Sequence, residues 1–342
     1  MPWKFKPANQ SFEEAQEDWD SLNLARGNHL LLDSKFVGPL LRHFGGAGVV
    51  LGINHDSGKN GMALLEKKRT GIWETFQPSQ EPLGPIVFSY QDDTGAGLLE
   101  LARALPGFPL ELAVLQQDPF HTCFPPTQTL PNIERVDYIS TPYLPVTGTF
   151  EEYWKGRGTN LRHNLARRRR RMAEQKMSLE LKAHREPQSI KECIAEFGRL
   201  ESKGWKGKDG TAIHENNAQG RFYGEMLESF CERGEGVVYQ WCLDGKVAAS
   251  DLCLKRDGTM IVLKTAYDEE MNQHSPALMM REEIMSGVFE GGDVRIVEFY
   301  GRVMEWHTKW CDDARTMYHV NCFCQPWIRS VRQFASRFRK NG

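Results

Sequence analysis

No apolar run of about 18 residues occurs anywhere in the chain, so a membrane-spanning helix is not expected. The lysines near the N-terminus are not followed by an apolar h-region, and a secretory leader is not expected either. The cysteines number eight (Cys123, Cys193, Cys231, Cys242, Cys253, Cys311, Cys322 and Cys324), but their spacing fits neither a small disulfide framework nor a zinc site. Cys322 and Cys324 form a C-x-C on a predicted strand, facing the same side, with no second pair to complete a metal site. Buried reduced thiols and a cytoplasmic location are the expectation, with no metal. Net charge is also nearly missing: 43 Lys and Arg against 45 Asp and Glu give −2. Taken as an average, that speaks against a generally basic nucleic-acid binder. Disorder is excluded by the aromatic content of 11% together with the low net charge.

What is present is 342 residues, enough for two domains at roughly 100–200 residues each. A break falls at Thr141 to Gly148, where two prolines and a Thr-Gly pair interrupt the periodicity, and domains of 1–145 and 146–342 are expected. In the second, Thr149 with Glu152 forms a capping-box signature for a helix from Phe150. A second helix spans Thr159 to Lys176, followed by a strand over Met177 to Ala183. Amphipathic helices follow at Ser189 to Ser202 and Gly220 to Cys231. Three strands then form a meander whose turns are Asp244-Gly245 and Asp257-Gly258, residues that tolerate the positive φ of tight hairpins. Ser275-Pro276 reads as cap and first residue of a helix ended by Gly291-Gly292. Strands at Val294 to Tyr300 and Arg315 to Phe323 and a closing helix from Pro326 complete the pattern. The first half repeats the order helix, helix, three strands, helix, strand, without obvious residue identity.

Four segments carry a family resemblance. They are YWKGRGTNLRHNLARRRRRMAEQ (Tyr153 to Gln175), LDGKVAASDLCL (Leu243 to Leu254), AYDEEMNQHSPALMM (Ala266 to Met280) and EFYGRVMEWHTKW (Glu298 to Trp310). In this order they resemble the CelD/BcsL-like, FemAB-related acyltransferases of the GNAT superfamily. This chain has Ala277 where the family usually has Gly, Glu298 for Asp, and Trp306-His307 for Tyr-Lys. The resemblance implies an α+β fold of tandem GNAT-like (acyl-CoA N-acyltransferase) domains, each a mixed, mainly antiparallel sheet flanked by helices. The first would be degenerate and the second would bind the donor.

Acyl transfer from a thioester needs two reactants held together, a deprotonated acceptor and a stabilised carbonyl oxygen. The resemblance makes acetyl-CoA, or another acyl-CoA, the donor. Ser275, Pro276, Ala277, Leu278 and Met279 would hold its pyrophosphate at the helix N-terminus, and pantetheine would run along the edge of the Met260–Tyr267 strand, where Lys264 lies. An ordinary capped helix is the alternative. Candidates for the general base are Asp251, Tyr267, Asp268, Glu298 and His307. Asp251 is conspicuous in an apolar strand, where a carboxylate needs a partner or a cleft. His307 has the intrinsic pKa for proton transfer near neutrality. Trp205, Trp241, Trp306 and Trp310 read as core.

The charge is unevenly spread. Lys155 to Lys176 holds nine basic residues and one acid, a segment at +8 against −10 for the rest. Arg162 and the run Arg167, Arg168, Arg169, Arg170 and Arg171 surround a helix and cannot all pack inward. They read either as a solvated face or as a polyanion site for CoA phosphates, an anionic polysaccharide or tRNA. Three functions follow. The first is transfer of an acyl group, acetyl by preference, to an amine or hydroxyl of a small molecule, sugar, or envelope or natural-product precursor. The second is transfer from aminoacyl-tRNA, as in FemAB-like relatives. The third is an anion-binding module without catalysis. Acyl group, acceptor and oligomeric state are not fixed by the sequence.

Overall fold

The computed structural model describes residues 3–56, 59–89, 94–121, 130–203, 212–325 and 327–329. Cys123, Trp205 and all but three residues of the expected closing helix from Pro326 lie outside them. In chain order the first stretch runs β1 (Lys4–Pro7), α1 (Ala8–Ser11), α2 (Gln16–Leu24), α3 (Ser34–Phe44), β2 (Val49–Asp56), β3 (Lys59–Arg69), β4 (Ile72–Thr75), β5 (Ile86–Phe88), α4 (Thr94–Ala104) and β6 (Glu111–Gln117). The second begins with β7 (Ile133–Pro145), α5 (Phe150–Gly156), α6 (Thr159–Glu174), β8 (Leu179–His184), α7 (Pro187–Lys203) and α8 (Ala218–Glu232). It continues with β9 (Gly236–Leu243), β10 (Lys246–Arg256), β11 (Thr259–Tyr267), α9 (Pro276–Gly291) and β12 (Ile296–Glu298), and β13 (Asp313–Phe323) follows.

The chain packs as two units, residues 1–139 with 316–342, and residues 140–315. The sequence places its break at 145/146; packing crosses at 139/140 and returns at 315/316. The difference arises because β7 runs through the proline-containing stretch instead of ending before it. Tyr143, Leu144 and Pro145 pair with Glu298, Val297 and Ile296, and the chain turns only at Gly148, where φ is +73°.

Each unit repeats one strand order. In the first it is β1-β2-β3-β4-β6-β13, with β5 set on β3; in the second, β8-β9-β10-β11-β12-β7. All these pairs are antiparallel except the fourth with the fifth, β4 with β6 and β11 with β12, which are parallel. A parallel neighbour needs a crossover, and α4 and α9 supply the crossovers. The sixth strand is out of sequence in both: the second unit's precedes its helices, and the first unit's comes after the whole second unit.

Local chemistry accounts for the elements that frame the second unit. Both Asp-Gly turns have positive φ at both residues, +49° and +75° at Asp244-Gly245 and +50° and +82° at Asp257-Gly258, as tight hairpins require. Thr149 accepts from the Glu152 N–H at 3.2 Å while Glu152 accepts from the Thr149 N–H at 2.9 Å, closing the capping box on α5. The core of this unit is the α9 face (Met280, Ile284, Met285, Val288) laid on Trp241, Ala249, Cys253 and Met260. In the first unit Leu98 and Leu101 of α4, with Leu105 just after it, pack against Trp73, Leu112, Val114 and Cys322. The seven described cysteines are all buried free thiols, and Cys322 and Cys324 sit in that apolar core. Among the described residues no helix is long and apolar enough to cross a membrane.

Candidate active-site cleft of the second unit

β11 and β12 stay paired over only three residues, Thr259–Ile261 with Ile296–Glu298. Beyond Ile261 they part, and β11 has no strand partner on that side among the described residues. A cavity of about 420 Å³ opens where they separate. One wall is β11 from Val262 to Tyr267; another is the start of α9, with Ser275, Pro276, Ala277, Leu278 and Arg281. Phe299, Trp306, His307, Lys309 and Trp310 form the third. Trp310 is core, as read from the sequence, and also borders the cavity; it packs against α5 through Trp154, with ring centroids 5.9 Å apart, while Trp306, read as core too, is partly buried against that core at the cavity wall. Trp241 is core, as read.

The sequence picks Asp251, Tyr267, His307, Lys264 and the start of α9 for this region, and most of them meet there. Their chemistry differs from the expected roles. Asp251 is fully buried. It accepts from the Thr265 hydroxyl at 2.6 Å and lies 2.9 Å from Nη2 of Arg281, itself 2% exposed. Burial pushes the Asp251 carboxyl up from the ordinary range, and Arg281 and the Thr265 hydroxyl oppose it. Arg281 has no counterpart in the sequence reading. Its signal was an arginine on the apolar side of α9, three residues before Ile284 and four after Ala277.

Glu298 does not line the cavity. It is 1% exposed and accepts from Arg315 at 2.7 Å, and the guanidinium of Arg315 lies 5.3 Å from the rings of both Tyr143 and Tyr300. Asp268 is buried against Lys203 at 3.0 Å and caps the following turn through the Glu270 N–H. Tyr267 is 38% exposed at the rim. His307 stacks on Trp306, with centroids 3.6 Å apart, and its Nδ1 accepts the Met304 N–H at 2.9 Å. Burial and the positive charge of Arg281 lower its pKa to about 4. At neutral pH the ring is uncharged with its proton on Nε2, a hydrogen-bond donor and a poor base.

The N-terminus of α9 differs from the expected anion cradle. Ser275 has φ +51°, and its side chain makes no capping hydrogen bond. Its carbonyl accepts from both Leu278 and Met279 at 3.0 Å, and Pro276 has no N–H. Ala277 alone among Ser275 to Met279 is left with a donor for a ligand, because Ser275 N–H is bound to Asn272. Met279 is core. Lys264 borders the cavity, but its ammonium is engaged by Glu201 at 3.3 Å and Gln219 at 3.5 Å and lies 5.4 Å from the centre of the Tyr223 ring.

The arginine run divides by role. Arg169 bridges to Glu282 and Glu283 on α9, at 2.7 and 3.6 Å. Arg162 donates to the carbonyl of Arg157 and Arg170 is exposed. Arg167, Arg168 and Arg171, with Gln273 and His274, line a groove of about 570 Å³ between α6 and the 269–274 turn. Arg168 reaches the Asn272 carbonyl, and Asn272 also borders the 420 Å³ cavity, so groove and cleft share one rim.

In the first unit, ligand-type atoms of His29, Asp118 and His121 lie within 4.8 Å of one another beside a void of about 20 Å³. His29 Nδ1 accepts the Leu31 N–H at 3.2 Å, so its ring carries the proton on Nε2 and offers a donor to its neighbours. A hydrogen-bonded cluster uses that tautomer; a metal ligand does not.

Comparison with known proteins agrees with this architecture. Residues 159–308 match the family model described as "Acetyltransferase (GNAT) domain". A search of curated protein sequences returns no match. Among solved structures, the chain is similar to the C-terminal domain of a protein assigned as a lysylphosphatidylglycerol synthetase from Agrobacterium fabrum (14% identity, 96% of each chain covered, TM-score 0.59). It is also similar to FemX (10% identity, 92% of this chain and 98% of that one, TM-score 0.56). L-PGS from Bacillus licheniformis gives 11% identity over 90% of this chain and 92% of that one, with a TM-score of 0.50. At such identities the likeness is one of fold. The fold is the GNAT one, a mixed sheet flanked by helices, present in tandem.

Proposed function

We propose that this chain is an acyltransferase that moves an acyl group, acetyl by preference, from a CoA thioester to an amine or hydroxyl. The acceptor would be a small molecule, a sugar, or an envelope or natural-product precursor. The observation that carries this reading is the parting of β11 from β12. It leaves one edge of Val262–Tyr267 without a strand partner among the described residues, beside a cavity lined by both apolar and polar side chains. An amide-bearing, flexible arm such as pantetheine pairs with such an edge as an added strand does. The match of residues 159–308 to the GNAT domain supports it.

The reaction is direct attack of the acceptor on the thioester with both bound, and every described cysteine is buried and unsuited to an acyl-enzyme. Asp251 and Glu298 are each committed to an arginine and Asp268 to a lysine. His307 is uncharged with a depressed pKa. No strong base is therefore offered by these groups, and an amine acceptor must enter deprotonated. Turnover is expected to climb through the acceptor's own pKa, with no inflection near 6.5 from His307.

A second reading has its own observation. The single free N–H at the start of α9 is a weak pyrophosphate site, whereas three arginines line the groove that shares the cleft's rim. This pattern suits a donor with many phosphates, an aminoacyl-tRNA whose 3′ end reaches the cleft while its backbone lies on α6. One of the similar structures bears the name of a lysylphosphatidylglycerol synthetase, and another is FemX. Thermal unfolding with acetyl-CoA, free CoA, and charged tRNA with and without ribonuclease separates the readings. Stabilisation by acetyl-CoA supports the first; stabilisation by intact charged tRNA alone supports the second. If none of these ligands shifts the midpoint, both fail and an anion-binding module without catalysis is left.

A further inference from the structure

One group in the cleft is left over by this scheme. Arg281 lies in the second turn of α9, 2% exposed, and forms part of the cavity wall. Its Nη2 is occupied twice over, donating to Asp251 Oδ1 at 3.1 Å and to the Thr265 hydroxyl at 3.0 Å. The rings of Phe299 and Trp306 flank the guanidinium, at 5.4 and 5.8 Å from its carbon. Its Nη1 is buried and has no hydrogen-bond partner among the described residues. Leaving a buried donor on a charged group unmade is strongly unfavourable, and a well-packed apolar residue in that place would avoid the penalty altogether. The clamp of Asp251, Thr265 and two rings fixes where Nη1 sits, as a preorganised site requires.

Asp251 already compensates the charge of Arg281. What the wall lacks is an acceptor, not a counter-ion. A carboxylate or phosphate brought to Nη1 would hold its full charge there throughout binding, opposed by the Asp251 carboxylate across one guanidinium, whereas the charge on a thioester oxygen is partial and transient. A neutral carbonyl oxygen meets no such opposition and can accept the free N–H.

We infer that Nη1 of Arg281 is the subsite for the acyl carbonyl oxygen and the group that stabilises it during transfer; this rests on the acyl-CoA reading above. In the step, the lone pair of the acceptor nitrogen or oxygen forms a bond to the carbonyl carbon, and the π pair moves onto the carbonyl oxygen against Nη1. That pair then re-forms the C=O bond as the C–S bond breaks. The electrons leave on sulfur, which takes up the acceptor's proton to become the CoA thiol. Because the negative charge develops on the oxygen only during reaction, Arg281 acts mainly on kcat.

The test compares acetyl-CoA with S-ethyl-CoA, a thioether of the same length without the carbonyl oxygen, by titration calorimetry. The wild type should bind acetyl-CoA about tenfold more tightly, the discrimination expected of one hydrogen bond to a charged donor. The double variant Asp251→Asn/Arg281→Met removes both charges together and should bind the two ligands equally. It should also lose about 100-fold in kcat, while its KM for acetyl-CoA rises by no more than about the tenfold lost with the ground-state hydrogen bond. Arg281→Lys keeps a charge beside Asp251 but withdraws Nη1; it should lose the preference as well and serves if the double variant does not fold. Equal affinity in the wild type, or a preference that survives both changes, overturns the assignment of Arg281 alone. If the wild type binds neither ligand, the acyl-CoA reading falls and the assignment falls with it.

Discussion

The two units share a strand order, yet among the described residues one is packed with buried apolar side chains at the place where the other holds a cleft. In the second, β11 and β12 part and leave about 420 Å³; in the first, β4 and β6 keep the same parallel relation with Trp73, Leu98, Leu101, Leu112 and Val114 buried around them. The loops after the third meander strand differ in the same sense. In the second unit the buried carboxylate there, Asp268, is met by Lys203. In the first it is Glu81, 2% exposed, which accepts from the Leu83 N–H at 3.0 Å and, among the described residues, has its other oxygen unpartnered and no cation paired with it. Fold and site are thus separable: the topology supplies a place for a cleft, and side-chain volume and charge pairing decide whether one exists.

That contrast can be broken or sharpened experimentally. The largest effect is expected from Arg281→Met alone, which leaves the fully buried Asp251 without its cation and should cost about 3–5 kcal/mol in urea unfolding. Most of this should return in the double variant with Asp251→Asn; no recovery would mean that packing, not charge, is at stake. Next, Leu101→Ala in the sealed unit should cost about 2–5 kcal/mol, because it carves a void into a filled core. Ala277→Trp, aimed into the open cleft, should stay within about 0.5 kcal/mol of wild type while abolishing donor binding. Equal costs for the two would contradict the sealed-versus-open description.

A triple change of Arg167, Arg168 and Arg171 to Gln should leave the unfolding midpoint in place. Under the tRNA reading, it should flatten the slope of log affinity against log salt by about 2–3 for RNA. Smaller still is Glu81→Gln. Burial raises the folded-state pKa of Glu81 well above its unfolded value, so its favourable contribution is present below pH 4.5 and is lost as pH rises through the folded pKa. The Gln variant should therefore unfold at higher urea than wild type at pH 8, and the gain should vanish at pH 4. His307 runs the other way. Its folded pKa of about 4 lies below the unfolded value of 6.5, so stability is complete above pH 6.5 and is lost as pH falls toward 4. His307→Gln should flatten that acid limb by a modest amount; an unchanged limb would contradict the depressed pKa.

Much of the fold was legible because it depends on local rules. The Asp-Gly turns and the Thr149 capping box are fixed by residues within a few positions of one another. The repeated element order followed from periodicity. β7 was missed because Pro142 and Pro145 signal a break locally, while pairing with β12 is set by residues about 150 positions away. The site was half legible for a similar reason. Asp251 stood out as a carboxylate in an apolar strand, but its partner Arg281 was hidden among the charges of α9, and nothing in sequence spacing joins them. Ser275-Pro276 carried a familiar helix start; the positive φ of Ser275, which turns its side chain away from capping, is a tertiary choice.

The displaced sixth strands bear on how the protein is made. As the chain leaves the ribosome, the first unit emerges with Glu111–Gln117 as an unpaired edge, because its partner, residues 316–323, is synthesised only after the whole second unit. For the second unit the order is reversed: its edge strand, residues 140–145, is waiting before Ile296–Glu298 arrives. The half without the cleft is therefore the last to finish, and its open edge is exposed to mispairing during synthesis.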